Sequence, residues 1–322
     1  MTVADDRAPV AAIALSQVVK RYGKTTALAS LGFEVQRGEM FGLIGPDGAG
    51  KTTAIRVICG LLHPDAGDVR VLGVDPLRAH RQLTERVGYL SQRFSLYGDL
   101  SIDENIAFFA EIHGMRDYRE RRDQLLEMTQ LTAFRDRLAS RLSGGMKQKL
   151  ALACTLVHEP DLILLDEPTT GVDPVSRREF WKLLAQFLDR GVTILMSTPY
   201  LDEAERCTRV ALIHEGRLLA ADTPARLRDL ITGPMFEVLA GEVKPSDAAD
   251  IVRTVPGVAD VQIFGERLHV TVSGGPAPLT RSDDFAAALG RTALAHAPVR
   301  AVAPSLEDVF IARLSEEERT HA

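Results

Sequence analysis

The chain has 322 residues, of which 45% are hydrophobic and 25% charged, the composition of an ordinary globular protein with one large or two average domains. Its formal net charge of −6 gives no support for nucleic acid as the main partner. The three cysteines (Cys59, Cys154 and Cys207) are far apart and odd in number, so buried thiols in a reducing compartment are expected rather than disulfides.

No segment of the sequence predicts direct insertion into a membrane. The N-terminal stretch "MTVADDRAPVAA" is acidic and lacks the apolar core of a signal peptide. The longest apolar run, "LALACTLV", is far shorter than the roughly 20 residues that a spanning helix needs. Any role at a membrane is therefore expected to come through a partner.

Up to about residue 232, predicted strands alternate with predicted helices. The predicted strands are "AIALSQVVKRYG", "GEMFGLIG", "RVGYLSQ", "DLILLDEP" and "VTILMS", and "RVALIHEGRLLAAD" predicts a hairpin. The predicted helices are "TTAIRVICGLL", a charge-rich stretch from Ser101 to about Ser140, "LSGGMKQKLALACTLVHEP" after its first residues, and "SRREFWKLLAQFLDRG". This alternation predicts a three-layer α/β domain around a parallel sheet.

The pattern changes after residue 232. The order "FEVLAG", "DAADIVRTV", "VADVQIFG", "RLHVTVSGG", "SDDFAAALGRTAL", "VRAVAP" predicts a small β-α-β-β-α-β domain. A last helix is predicted at "SLEDVFIARL", with Ser305 as its N-cap and Asp308 three residues on. We therefore predict two domains, residues 11–232 and 233–322.

A glycine-rich loop follows the predicted strand "GEMFGLIG". Residues 45–53 read "GPDGAGKTT", which fits G-x-x-x-x-G-K-[ST] between a strand and a helix, the context that this phosphate-binding motif requires. Its glycines allow successive backbone N–H groups to face phosphate oxygens, next to the positive end of the following helix. Lys51 is predicted to reach the β- and γ-phosphates, and Thr52 to bind Mg²⁺.

Two acidic residues end a buried strand far downstream. Asp166 closes "LILLD", where a carboxylate can bind Mg²⁺ directly or through water. Glu167 follows, and it can polarise an attacking water. Paired with the phosphate loop, these residues predict nucleotide hydrolysis.

A third motif, "LSGGMKQK" at residues 142–149, completes a family pattern. Together with the two preceding motifs, it resembles the signature of ABC-type ATPases over roughly residues 11–232. The resemblance implies a P-loop NTPase core of the ABC type, with a helical signature subdomain at about residues 93–150, followed here by the small α+β (ferredoxin-like) C-terminal domain.

Four further features match the family in order. Tyr22 stands where an aromatic ring stacks on adenine, Gln92 matches the Q-loop glutamine, "TTGVD" ending at Asp173 matches the D-loop, and residues 195–205 match the switch segment. Motifs and resemblance together predict catalytic roles for Lys51, Gln92 and Glu167, and magnesium binding by Thr52, Gln92 and Asp166. The predicted nucleotide contacts are Tyr22, Gly45, Asp47, Gly48, Ala49, Gly50, Lys51, Thr52, Thr53, Ser143, Gly144, Gly145 and Asp173.

The resemblance also implies partners. ATP and Mg²⁺ would lie between two such subunits packed head to tail, with Ser143–Gly145 of one chain completing the site of the other. The C-terminal "SLEDVF" resembles the ATPases of drug, polyketide and polysaccharide exporters, which work with a separate membrane permease. The chain is then expected on the cytoplasmic face of the membrane, touching it only through that permease. The charge run at residues 115–123 fits either a solvated helix face or a docking surface.

Asp47 departs from the family pattern, in which this position of the phosphate loop is usually Asn. Its carboxylate would bring a negative charge near the phosphates and weaken nucleotide binding modestly. Alternatively, it points outward and bonds to the loop backbone, as Asx residues do. Both interpretations stay open at the level of sequence.

Pro199 is the second departure, in "STPYLDEAE". Aligned on "DEAE", it occupies the position of the switch histidine, which contacts the γ-phosphate. Proline donates no hydrogen bond from side chain or backbone, so slow intrinsic hydrolysis is expected. A structural interpretation stands beside this one: Thr198 caps the next helix, and Pro199 is its first residue.

Three functions compete. The first is the ATPase subunit of an exporter. The second is a soluble ABC protein acting in translation or DNA maintenance, which usually has two ATPase domains or a long coiled-coil insertion, neither of which this sequence shows. The third is a degenerate, regulatory ATP-binding subunit, which Pro199 suggests.

Overall fold

The structure is a computed structural model that describes residues 11–92, 96–273, 279–290 and 292–321. The predicted start of the helical subdomain at residue 93 and nearly all of the N-terminal tail lie outside the described residues. The chain divides into two units between Ala221 and Asp222. The sequence predicts this boundary after residue 232, whereas the structural division comes earlier and assigns the helix Pro224–Arg228 to the second unit.

The first unit is built on two sheets. Its strands are β1 (Ile13–Tyr22), β2 (Thr25–Val35), β3 (Met40–Ile44), β4 (Ala66–Val71), β5 (Val87–Leu90), β6 (Leu162–Asp166), β7 (Thr193–Thr198), β8 (Arg209–His214) and β9 (Arg217–Asp222). One sheet has the order β5-β6-β7-β3-β8-β9, and β5, β6, β7, β3 and β8 run parallel. The strands β3, β6 and β7 are buried along their whole length, as their unbroken apolar sequences predict.

The register of the parallel sheet places the ends of three strands side by side. Ile44 pairs with Thr198, and Asp166 pairs with Ser197. The neighbouring strands β3 and β7 continue in opposite directions, because β3 is followed in this sheet by β5 on one side and β7 by β8 on the other. Open α/β sheets bind ligands at such a switch point. The loop after β3 and the acidic end of β6 are thereby brought together.

The second sheet of this unit was not expected from the sequence. It is antiparallel, with the order β2-β1-β4. Its pairing is irregular, with shifts of register along β1, and Gln17 and Ser30 adopt positive φ angles of 50° and 66°. The break at Ser30 interrupts the period-two alternation that predicts a strand and explains why β2 was missed, whereas β1 was predicted as a strand despite its irregular pairing.

The helices of the first unit are α1 (Lys51–Ile58), α2 (His80–Thr84), α3 (Ile102–Ile112), α4 (Arg119–Met128), α5 (Gly144–Leu156), α6 (Pro174–Asp189) and α7 (Leu201–Ala204). The stretch from Ser101 to Ser140 is mainly helical as predicted, with α3 started by a capping box of Ser101 and Glu104. Two short 3₁₀ turns, Thr132–Phe134 and Ala139–Arg141, separate α4 from α5.

The second unit confirms the predicted β-α-β-β-α-β order. It contains α8 (Pro224–Arg228), β10 (Met235–Leu239), α9 (Pro245–Arg253), β11 (Val258–Phe264), β12 (Arg267–Val272), α10 (Ser282–Leu289), β13 (Val299–Val302) and α11 (Leu306–His321). The antiparallel sheet has the ferredoxin-like order β11-β12-β10-β13. The predicted cap of α11 is also present, because Asp308 accepts from the Ser305 N–H at 2.7 Å and donates its own N–H to the Ser305 hydroxyl at 3.3 Å.

Among the helices in the described part of the chain, none combines the length and the apolar composition that crossing a bilayer requires.

Candidate functional site

The loop between β3 and α1 curls so tightly that two of its positions have no room for a side chain and require glycine. A Cβ at Gly45 would lie 2.3 Å from the Ile213 carbonyl oxygen, and one at Gly50 would lie 2.5 Å from that of Ala27. Gly50 also has φ 102°, a left-handed conformation that glycine adopts without strain. The helix α1 starts at the next residue, so its free N–H groups face the inside of the loop.

Lys51 is nearly fully buried inside this loop. Its Nζ donates to the carbonyl oxygens of Gly45 at 2.8 Å and Pro46 at 3.0 Å. The same Nζ lies 3.2 Å from Glu167 Oε1, where the two side chains are 4% and 9% exposed. A buried ammonium and carboxylate stabilise each other only as a pair, so any ligand that takes Lys51 also changes the surroundings of Glu167.

Asp166, at the end of β6, has one satisfied and one free carboxylate oxygen. Its Oδ1 accepts from the Thr52 hydroxyl at 3.1 Å and from the Ser197 hydroxyl at 2.8 Å. Its Oδ2 is buried and has no hydrogen-bond partner among the described residues. Burial raises the pKa of the Asp166 carboxyl, despite these two donors.

That free oxygen is what a magnesium site needs. Mg²⁺ prefers oxygen ligands, including carboxylates, and commonly keeps few protein ligands beside substrate phosphates. A cation at Oδ2 would offset the cost of the buried charge, and the Thr52 hydroxyl is adjacent. Thr52 and Asp166 therefore fit the predicted ion. Gln92 lies at the same cavity, where its Nε2 donates to Glu167 Oε2 at 3.0 Å.

Glu167 is held in an unfavourable backbone conformation. Its φ is 49°, which is uncommon for a residue other than glycine, asparagine or aspartate. Its N–H is directed at Ser197, with 3.0 Å to the hydroxyl and 3.2 Å to the carbonyl oxygen. Strain of this kind persists where the surroundings enforce it, and such positions cluster at functional sites.

These side chains meet at one cavity of about 250 Å³. Its lining residues are Ala27, Asp47, Gly48, Gly50, Lys51, Thr52, Thr53, Gln92 and Glu167. Asp47 is exposed and lines this cavity, and no hydrogen bond joins its carboxylate to the described loop backbone, so the predicted Asx bond is absent there. Ala49, in contrast, is buried within the loop and donates its N–H to the Pro46 carbonyl.

The remaining predicted contacts do not line this cavity. Tyr22 ends β1 with 47% of its surface exposed and Lys20 Nζ at 5.9 Å from its ring centroid. Ser143 caps α5 by accepting from the Met146 N–H at 3.3 Å. Asp173 caps α6, and its hydrogen bonds with Ser176 lower the pKa of its carboxyl.

Ser143 and Gly144 are exposed, whereas Gly145 packs so closely on Ser176 that a Cβ would lie 2.2 Å from its hydroxyl. The signature loop and the start of α6 thus form one surface next to the D-loop. This surface is separate from the cavity that Lys51 lines.

The switch segment corrects one prediction. The helix α7 begins at Leu201 with Tyr200 at its N-cap position, so Pro199 is not the first helical residue. The Thr198 hydroxyl does accept the Tyr200 N–H at 3.1 Å, but it also donates to the Glu203 carboxylate at 2.7 Å. Pro199 therefore lies in a turn between β7 and α7, and its position contributes no polar hydrogen.

Sequence reasoning missed Ser197, which touches both Asp166 and Glu167. Its signal was present, because a polar residue closes the otherwise apolar strand "VTILMS" beside the switch segment. Thr170 was also missed, with its hydroxyl 3.4 Å from Glu167 Oε2. No periodicity marks that residue, since it lies in the turn after β6.

Comparison with known proteins agrees with this geometry. Residues 28–170 match the family model described as "ABC transporter". The Nod factor export ATP-binding protein I of Burkholderia pseudomallei (strain K96243) is 39% identical over 308 residues, which cover 94% of this chain and 96% of that protein. The probable multidrug ABC transporter ATP-binding protein YbhF of Escherichia coli (strain K12) is 42% identical over 218 residues, which cover 67% of this chain but only 38% of that relative's length.

Solved structures show the same fold. An ATP-binding subunit of an ABC transporter has a TM-score of 0.62 at 30% identity, covering 68% of this chain and 92% of its own. A dimeric ATP-binding cassette in a post-hydrolysis state, bound to ADP and Pi, has a TM-score of 0.59 at 25% identity. That match covers 66% of this chain and 98% of the cassette. The P-loop NTPase core predicted from the motifs is thereby confirmed.

Proposed function

The chain belongs to the family of ABC transporter ATP-binding proteins, and from that premise we propose that it binds and hydrolyses ATP to power an exporter whose permease is a separate chain. One observation carries the proposal: the phosphate loop and the proposed base line a single cavity, and the magnesium carboxylate accepts a hydrogen bond from Thr52, which lines the same cavity. The exporter assignment is supported by relatives named for multidrug and Nod factor export.

The nucleotide's phosphates would occupy the loop of residues 45–53, with Lys51 exchanging its contact to Glu167 for the β- and γ-phosphates. Tyr22 would stack on adenine at the outer end. Thr52, Asp166 and Gln92 would hold Mg²⁺, which when bound neutralises charge on the phosphate oxygens. The chain's own groups would thus orient the triphosphate before any chemistry.

Glu167 would act on the attacking water. Once Lys51 has turned to the phosphates, the Glu167 carboxylate is free to accept a proton from that water, whose oxygen bonds to the γ-phosphorus. The bond to the β-phosphate oxygen breaks, giving ADP and inorganic phosphate. Ser197 holds the Glu167 backbone, and Gln92 holds its side chain.

A second ATP-binding subunit would complete the site. The exposed surface of Ser143, Gly144 and Asp173 lies away from this chain's own cavity, which suits contact with the partner's nucleotide. The similarity to a dimeric cassette supports this arrangement. We propose that the pair sits at the inner face of the cell membrane and touches it through the permease.

Pro199 supports a second candidate function, a regulatory subunit that binds ATP and turns it over slowly. The switch position offers no donor to the γ-phosphate, from side chain or from backbone. Removing one preorganised donor from developing charge typically costs about 10²–10³ in rate. ATP binding would be unaffected, because the loop of residues 45–53 is complete.

The substitution Pro199→His tests this candidate. We expect it to raise the rate of ATP hydrolysis by about 10²-fold, because it restores a donor at the switch position. Pro199→Ala is the matched control, since it relaxes the ring's constraint without adding a side-chain donor. Equal turnover of wild type and Pro199→His would show that the proline does not limit hydrolysis.

The main proposal is tested by purifying the chain together with a candidate permease from the same organism. Binding of ATP that Lys51→Ala abolishes, together with hydrolysis that exported compounds stimulate, is the expected result. ATP binding without any hydrolysis, in the presence of the permease and in the Pro199→His variant alike, would reject an energy-coupling role.

A further inference from the structure

Glu203, in the short helix α7, is a carboxylate with only 1% of its surface exposed. Three groups face it: the Thr198 hydroxyl donates at 2.7 Å, the Trp181 Nε1–H at 3.5 Å, and Arg177 Nε lies at 3.6 Å. Burying a charge is costly unless it is paired and hydrogen-bonded. The Glu203 carboxylate therefore holds its partners in place, because moving away from them would leave its buried charge unpaired.

The group that Glu203 fixes most directly is the switch turn. Thr198 donates its hydroxyl hydrogen to Glu203 while its oxygen accepts the Tyr200 N–H at 3.1 Å. The Arg177 guanidinium lies 4.7 Å from the centroid of the Tyr200 ring. The turn at Pro199 is thus held at both ends by groups bound to Glu203 or stacked beside it.

The same strand end also supports the proposed catalytic carboxylates. Ser197, one residue before Thr198, donates to Asp166 Oδ1 and accepts the Glu167 N–H. Successive residues of a strand point to opposite faces, so Ser197 reaches the site while Thr198 reaches Glu203. Displacing Thr198 would displace Ser197, and with it the two carboxylates.

We propose that Glu203 is a positioning residue for hydrolysis, acting through Thr198 on the strand end that holds Asp166 and Glu167. The proposal rests on the proposed function of the cavity as an ATPase site. Glu203 lies outside the lining of that cavity, so it affects the geometry of the reacting groups without touching the nucleotide.

A positioning role makes a different prediction from a merely structural one. A structural anchor would change the free energy of unfolding and leave the chemical step of the folded molecules unchanged. A positioning residue lowers the rate of that step in molecules that are folded and bind ATP normally, because small displacements of reacting groups are expensive.

The first experiment compares Glu203→Gln with Asp202→Asn. Both remove one carboxylate charge from α7, but Asp202 is exposed and is the matched control. The uncharged glutamine loses both the attraction to Arg177 and the charge-assisted hydrogen bond from the Thr198 hydroxyl. In single-turnover hydrolysis by the full chain we expect Glu203→Gln to be slower by about tenfold and Asp202→Asn to be within twofold of wild type.

Two further measurements separate positioning from loss of fold. The dissociation constant for a fluorescent ATP analogue should change less than twofold in Glu203→Gln. Trp181 is the only tryptophan, so its fluorescence reports on the surroundings of Glu203 and on folding at the same time. A native thermal transition with a shifted emission spectrum is the expected signature.

Thr198 provides an independent test if Glu203→Gln does not fold. Thr198→Val removes the hydroxyl and should reproduce the slow hydrolysis, whereas Thr198→Ser keeps the hydroxyl and should restore the rate. Glu203→Gln combined with Thr198→Val should be no slower than either alone, because both break one connection.

Wild-type rates in Glu203→Gln and Thr198→Val would overturn the proposal, as would a weakening of ATP binding that equals the loss of rate. Failure of the proposed function looks different, since the wild-type chain itself would then not hydrolyse ATP. Each outcome therefore assigns its cause.

Discussion

Each unit contains a cluster of buried carboxylates, and the two clusters differ in how many of their carboxylate oxygens have a hydrogen-bond or ion-pair partner. In the first unit, Asp166 has one buried oxygen that finds no hydrogen-bond partner in the part of the chain that the structure describes, and Glu167 has a strained backbone. In the second unit, the Asp308 carboxylate faces His269 Nδ1 at 2.6 Å with one oxygen and accepts the Ser305 N–H at 2.7 Å with the other.

Both carboxylate oxygens of Glu237 in the second unit also accept hydrogen bonds. Its Oε1 accepts from Arg300 Nε at 2.7 Å, and its Oε2 accepts from Arg300 Nη2 at 3.1 Å and Arg267 Nη1 at 3.4 Å. Hydrogen bonds from Arg300 hold the pKa of the Glu237 carboxyl below its ordinary value. The chain itself completes this cluster, which joins β10, β12, β13 and α11.

The difference teaches how to separate a site from a structural network when both consist of buried charges. A network completed within the chain stabilises the fold and has no capacity left for a ligand. An incomplete cluster is retained at a cost in stability, which a bound ligand can offset. Proteins commonly show this conflict between stability and activity at functional sites.

The largest expected effect is on hydrolysis by Glu167→Gln. Glutamine has nearly the same shape and still accepts hydrogen bonds from Gln92, but it cannot take the proton from water. We expect the rate to fall by about 10²–10⁴-fold with ATP binding retained. The comparison should be made in the Pro199→His background, where the starting rate is expected to be higher.

Glu237→Gln makes the same chemical change in the second cluster and serves as the control. It should leave the hydrolysis rate unchanged, because that carboxylate belongs to the other unit. If Glu167→Gln kept more than a third of the starting rate, Glu167 would not be the base. Equal losses in both variants would remove the distinction between the clusters.

The sequence indicated where the loops at the cavity lie better than it indicated the sheets. Lys51, Thr52, Asp166 and Glu167 were singled out because their motifs end or follow buried strands of five residues, where an apolar run marks each boundary. Their roles stay predictions. Of the antiparallel sheet only β1 was predicted, since Ser30 breaks the alternation of β2. Pairing between distant strands and the hydrogen bonds of Ser197 or Glu203 depend on register, which no local pattern in one sequence encodes.

The next prediction concerns stability, and its sign differs between the clusters. Asp166→Asn should stabilise the nucleotide-free chain by about 1 kcal/mol, because it removes a buried charge whose Oδ2 has no partner. Asp308→Asn should destabilise the second unit by about 1–2 kcal/mol, because it removes the charge that faces His269.

Urea unfolding can follow both units separately. Fluorescence of Trp181 reports on the first unit, and hydrogen exchange in peptides from residues 222–321 reports on the second. Destabilisation by both substitutions would mean that Asp166 is as fully paired as Asp308, and the magnesium assignment at its Oδ2 would lose its physical basis.

The smallest expected effect is the contribution of Glu237 and of Asp166 to the response to acid, which should be opposite for the two carboxylates. The pKa of Glu237 is lowered, so its contribution to stability is present above the unfolded-state pKa and is lost as pH falls through the native one. The pKa of Asp166 is raised by burial, so protonation removes an unfavourable charge and the folded state gains as pH falls.

As pH falls from about 5 to about 3, the stabilising contribution of Glu237 should therefore be lost, while the unfavourable charge of Asp166 is removed. Because the arginines that pair with Glu237 are more than half exposed, this loss should be less than about 1 kcal/mol. Glu237→Gln should change the pH dependence of hydrogen exchange in the second unit only, and Asp166→Asn that of unfolding followed by Trp181 fluorescence in the first unit only. Contributions of the same sign, each taken as the difference between wild type and variant, would place the two carboxylates in equivalent environments, because opposite pKa shifts require opposite slopes.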